Sequence, residues 1–161
     1  MELSPDERTR QETQEHIDNV GKLLKSLAQK PMFESITHEL ILRGENHDSS
    51  KLEEPEFSTF VEFTPKLKES TYGSEEYKGF LRSMGTALDH HYANNRHHPE
   101  FYENGVGDMD LVDKIEMTCD WKAASMRHAN GDINKSIEIN TKRFKLSPQE
   151  VALLKMIAGL L

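Results

Sequence analysis

Apolar residues in this chain recur at spacings of three and four, and no stretch sustains a period of two. That pattern restricts the fold to packed helices. Ser4-Pro5-Asp6-Glu7 reads as a capping box with proline at the first helical position. The helix it opens is expected to run to about Gln29 and stop before Lys30-Pro31. Ile17, Val20, Leu24 and Leu27 form its inner face, and His16 lies one step off that face, beside Val20. A second helix is expected from Phe33 to about Asn46, with Ile36, Leu40 and Ile41 inward, leaving His47-Asp48 at its C-terminal end. Glu54-Pro55-Glu56 opens a short helix through Val61, and Thr64-Pro65 opens another short segment.

Ser74-Glu75-Glu76 starts a longer helix with a stripe of Phe80, Leu81, Met84, Ala87, Leu88 and His91, ending near Asn94 or Asn95. Asn104-Gly105 and Gly107-Asp108 mark turns. Asp108 is the expected cap of a helix through about His128, with Leu111, Val112, Ile115 and Cys119 inward. Asn130-Gly131-Asp132 breaks the pattern, a short helix follows from Ile133, and Ser147-Pro148-Gln149-Glu150 caps the last one. The expected fold is all-α, a bundle of about seven helices.

With 161 residues the chain suits one domain, 1–161, large enough to bury roughly 68–70% of its unfolded surface. The single cysteine, Cys119, excludes an internal disulfide framework and fits a reducing compartment. The acidic N-terminus lacks a signal-peptide pattern and no 18-residue apolar run is present, so a cytoplasmic protein that does not engage membrane is expected. A formal net charge of −8 argues against binding to duplex nucleic acid. The apolar segment 151–161 is expected to dock on its own core or on a second copy of the chain.

The eight histidines carry the chemistry. His47 and Asp48 are adjacent, so an imidazole and a carboxylate are offered from consecutive residues. His16 lies 31 positions before the pair, and Asp120 lies 72 positions after it, in Cys119-Asp120-Trp121. Asp120 falls among apolar residues, where a carboxylate needs a partner to be buried. Between them runs a cluster holding His90, His91, Asn95, His97, His98 and Glu100. Imidazole and carboxylate donors suit Mn, Fe, Co, Ni or Zn. His38 is the rival to His16.

The order His16…His47-Asp48…Asp120, the helix content and the size resemble the HD phosphohydrolase superfamily. The motifs His47-Asp48-Ser49-Ser50-Lys51, His97-His98-Pro99-Glu100 and Glu116-Met117-Thr118-Cys119-Asp120-Trp121 are similar to those of a phage and bacterial family of unknown function. The resemblance covers about residues 10–128, with residues 132–161 as additional C-terminal helices. It implies an HD-like helical bundle in which His16, His47, Asp48 and Asp120 hold one divalent ion. It also implies a second ion on His91 and His98 or His97 in dinuclear members. Asn95 and Glu100 are then candidates to orient those rings.

Such a site would use a metal-activated water against a nucleotide or another small phosphate ester. Asp48, Lys51, Glu54 and His97 are the candidate catalytic residues, with Arg96 and Lys122 as further cations for the phosphoryl group. Some nucleotidases of the superfamily carry a glutamate where this chain has Lys51, so Glu53, Glu54 and Glu56 compete for the proton-donor role. Trp121, Tyr92 and Tyr102 are the candidate platforms for a base. Two other functions compete: a di-iron oxygenase that needs His91 and His98, and a non-catalytic module binding a nucleotide or a host protein.

Overall fold

The computed structural model describes residues 2–161, which form seven α-helices and no strand. The helices are α1 (Pro5–Ala28), α2 (Thr37–Asn46), α3 (Phe57–Glu69), α4 (Glu75–Asn94), α5 (Leu111–Ser125), α6 (Ile133–Phe144) and α7 (Pro148–Ala158). Short 3-10 turns cover Pro31–Ile36, Ser49–Leu52, Pro99–Phe101 and Gly105–Asp108. No helix among the described residues is long and apolar enough to cross a membrane. The chain divides into two compact units. The first holds the residues up to Glu15 together with Asp48–Asn95, and the second holds His16–His47 together with Arg96–Leu161.

In the first unit, α3 and α4 pack through Phe60, Phe63 and Met84, flanked by Leu67, Phe80, Leu81 and Leu88. The opening turns of α1 are capped as expected: Ser4 Oγ accepts from Glu7 N, and Glu7 accepts from Ser4 N. Arg10 places its guanidinium 3.9 Å from the Phe57 ring centroid. The two short segments expected on either side of Thr64 are one helix, with Pro65 inside it. Proline in a helix interior costs about 3 kcal/mol. Phe60, Phe63 and Leu67 lie on one face at helical spacing, and burying the two phenylalanines returns about 1.5–3 kcal/mol each. In α4, Gly85 takes φ 39° and ψ −111°, a conformation only glycine adopts readily, and the helix kinks there.

In the second unit, the fully buried Leu24, Leu27, Leu40, Ile115, Met117, Ile137 and Leu154 join α1, α2, α5, α6 and α7 in one core. The apolar C-terminal segment therefore docks on its own unit through Leu154, Ile157 and Ala158. Ser147 and Glu150 form the expected capping box of α7. α1 and α2 approach at Gly21 and Gly44: a Cβ on Gly44 would lie 3.1 Å from Gly21 Cα. This backbone contact brings His16, five residues before Gly21, toward His47, three residues after Gly44.

Five local expectations are corrected here. The second helix begins at Thr37, because Pro31–Ile36 winds as a 3-10 turn. Ile41 is exposed, since the inward stripe of α2 is Leu40 and Gly44. Asp110, not Asp108, caps α5: Asp108 accepts hydrogen bonds from Asn104 instead, while Asp110 and Asp113 form a reciprocal capping box. α5 then ends at Ser125 and leaves Leu111 exposed in its first turn.

Candidate metal centre

The centre of the second unit is built on α5. Asp113, Glu116 and Asp120 follow one another at spacings of three and four, so all three carboxylates share one face of that helix. Asp113 and Glu116 are buried, and the Asp120 side chain is 15% exposed. His16, from α1, lies 2.8 Å from Asp120 Oδ1 through Nε2. His47, the C-cap residue of α2, donates through Nδ1 to Glu116 Oε1 at 2.9 Å. His97 directs Nδ1 to the same oxygen at 3.2 Å.

Anchoring at Nδ1 decides where the other ring nitrogens go. His47 Nε2 lies 3.6 Å from Asp120 Oδ1, and His97 Nε2 lies 3.6 Å from Asp120 Oδ2. An ionised carboxylate only accepts, so both rings donate from Nδ1, and in the neutral ring Nε2 is then the basic nitrogen facing Asp120. A carboxylate behind an imidazole that faces away from it is the arrangement that orients metal-binding histidines. The 3.6 Å separations exceed a good hydrogen bond and approach the roughly 3.4 Å edge of a tetrahedron built on bonds of about 2.1 Å. The ligand atoms of His16, His47 and Asp120, and those of His97, His98 and Asp120, lie within 4.8 Å of one another. Imidazole and carboxylate donors of this kind fit a divalent transition ion and suit Mg or Ca poorly.

The electrostatics agree with a cation. Burial would raise the carboxyl groups of Glu116 and Asp120, but their histidine partners hold both well below the usual carboxylate range. Burial likewise opposes ionisation of Asp113, and hydrogen bonds from Tyr102 and Arg43 hold it down. Three carboxylates thus meet two guanidiniums, those of Arg43 and Arg96.

The first unit repeats the motif at smaller scale. Asp48 takes φ 51° just after α2. Helices usually place glycine there, because a Cβ costs roughly 1–2 kcal/mol in that conformation. Aspartate is among the few other residues that take it, and Asp48 does so while buried. Lys51 Nζ lies 2.6 Å from Asp48 Oδ2, and His91 Nε2 lies 3.4 Å from Asp48 Oδ1. Behind His91, Glu56 accepts from its Nδ1 at 2.9 Å and from His90 Nδ1 at 2.6 Å. Burial raises the Glu56 carboxyl, and these two histidines outweigh it and lower it.

Several sequence candidates are thereby placed. The buried His16, not the exposed His38, joins Asp120. His98 stacks near His97, with ring centroids 4.1 Å apart. Glu56 is the buried glutamate, while Glu54 is exposed and bonds Ser58. Asn95 is buried and donates to Ser50 Oγ, but Glu100 is exposed and pairs with Arg143 instead of a histidine. Arg96 binds Tyr102 and Asp113, and Lys122 is half-buried. Trp121 lies parallel to Phe144 against the core, and the Tyr102 hydroxyl is given to Asp113, so neither is an open platform for a base. Glu116, Asp113 and Arg43 were missed as site residues. The carboxylate spacing along an otherwise apolar helix was the available signal.

No curated protein and no solved structure matches the chain. A family model matches residues 6–160, nearly the whole sequence. The chain belongs to that family, a family of unknown function (DUF5662).

Proposed function

We propose that this protein is a metal-dependent phosphohydrolase acting on a nucleotide or another small anionic phosphate ester. The observation that carries the proposal is the pair His47 and His97, both held at Nδ1 by Glu116 with Nε2 toward Asp120. His16, His47, His97 and Asp120 would hold one divalent Mn, Fe, Co, Ni or Zn ion. Asp48 follows His47 directly and is assigned to the same ion on that adjacency, since consecutive Cα atoms are about 3.8 Å apart. The His…His-Asp…Asp order supports a place in the HD superfamily. Bound there, a divalent ion supplies Lewis acidity and a nucleophile near neutral pH. Glu116 keeps the two imidazoles in the ligating tautomer. Lys51, 2.6 Å from Asp48, carries positive charge suited to a phosphoryl group. Glu56 is buried and Glu54 is exposed, so Glu56 is the better candidate of the two for the proton donor.

The test is a panel of nucleoside mono-, di- and triphosphates and cyclic nucleotides, offered to protein loaded with each of the five metals. Release of phosphate or pyrophosphate that disappears in Asp120→Ala supports the proposal. No release from any member by any metal form contradicts it.

The second arrangement, His91 between Glu56 and Asp48, favours one alternative: a dinuclear iron oxygenase with His91 as a ligand to a second ion. Iron counting on anaerobically purified protein separates the two. Two irons per chain and oxygen-dependent turnover favour the alternative, and one ion per chain removes it.

A further inference from the structure

Arg43 stands outside the ligand set yet touches its support. Its NH1 donates to Glu116 Oε2 at 2.8 Å and its NH2 donates to Asp113 Oδ1 at 2.7 Å. Glu116 therefore gives one oxygen to Arg43 and the other to His47 and His97. Asp113 is itself fixed, accepting from the Tyr102 hydroxyl at 2.5 Å, from Asp110 N at 3.1 Å and from Arg96 at 3.3 Å. The contacts run in series: α5 carries Asp113, Asp113 accepts from one arm of Arg43, and Glu116 accepts from the other.

We propose that Arg43 is the positioning residue of the metal centre, bridging Asp113 and Glu116 so that His47 and His97 are both locked as Nδ1–H tautomers. The proposal rests on the metal-site assignment above and adds a residue to it. A guanidinium is needed, not merely a positive charge. Its planar fork reaches two carboxylates at once, whereas an ammonium is a point charge without that geometry. With the fork removed, Glu116 can rotate about its terminal torsion and no longer accepts from both rings through one oxygen. The Nε2 atoms then lose their fixed orientation.

Arg43→Lys keeps the charge and tests the geometry, and Asp113→Asn tests the same link from its far end. Two readouts are needed. Long-range proton–nitrogen NMR at pH 8.5 on metal-free protein reports the ring tautomers. Cobalt(II) titration followed by visible absorption reports affinity and ligand geometry. Wild type is expected to show Nδ1–H on both His47 and His97. Arg43→Lys is expected to show mixed tautomers, a 10–100-fold weaker cobalt affinity and an altered absorption band. Asp113→Asn should move the same signals less. Unchanged tautomers in both variants overturn the proposal, as does a fall in metal-free melting temperature with affinity and spectrum intact, which is what a purely structural ion pair would give. The NMR arm needs no metal. A wild type that takes up no cobalt contradicts the metal assignment, while the tautomers still decide the role of Arg43.

Discussion

The two units contain the same three-part device and support it differently. In the second unit, buried Glu116 holds His47, whose Nε2 faces Asp120. In the first, buried Glu56 holds His91, whose Nε2 faces Asp48. The second unit surrounds its device with a core drawn from five helices, and backs Glu116 with Arg43 and Asp113. The first has a small core of Phe60, Phe63 and Met84, backs Glu56 with His90 and Ser50, and already supplies Asp48 with the Lys51 ammonium. One device is enclosed by the larger core, and the other carries a cation of its own. Under the proposed function the ion goes to the second unit first.

The sharpest way to break the comparison is to remove a ring from each side. His47→Ala should abolish tight divalent binding and all turnover, whereas His91→Ala should keep one ion per chain, as read by metal analysis after gel filtration. Equal loss in both variants would erase the distinction. Next in size is stability. Phe60→Ala should cost about 3–5 kcal/mol, and hydrogen exchange should quicken in α3 and α4 while amides around Ile115 and Ile137 keep their protection. Uniform acceleration would mean that the two cores unfold as one.

A smaller effect compares the supporting carboxylates. Glu116→Gln should weaken metal affinity by about 10–100-fold, and Glu56→Gln should change it little, both measured by competition with a chromogenic chelator. The smallest effect concerns acid. Asp113, Glu116, Asp120 and Glu56 all have folded-state acidities shifted below their unfolded values of roughly 3.9–4.3. A depressed carboxyl stabilises the fold fully above the unfolded value and loses that contribution as pH falls through the folded one. Melting temperature should therefore hold above about pH 5 and drop below about pH 4. Three of the four groups belong to the second unit, so its signals should be lost first.

How much of this was legible in the sequence depends on what kind of signal each feature leaves. Helix identity was legible because Val20, Leu24 and Leu27, or Met84, Ala87 and His91, repeat at helical spacing and are buried. Caps with reciprocal side chains, Ser4 with Glu7 and Ser147 with Glu150, also gave correct starts. Pro65 misled because its local cost is outweighed by tertiary burial of Phe60 and Phe63, which local pattern does not report. Asp108 misled because two aspartates two residues apart offer the same capping chemistry, and only the turn at Gly105–Asp108 chooses between them.

The meeting of His16, His47 and Asp120 followed from motif order. The layer behind them did not. Asp113, Glu116 and Arg43 are charged residues, which on most helices face water. Burying them takes mutual neutralisation across 70 and 73 positions of sequence, and local pattern hints at it only through the spacing of the carboxylates along α5.

The most direct test is a crystal of the protein grown with manganese, with data collected on both sides of a metal absorption edge. A single anomalous peak within coordination distance of His16, His47, His97 and Asp120 is the predicted result. Well-ordered density for those four side chains at saturating metal, with no anomalous peak among them, would contradict the account.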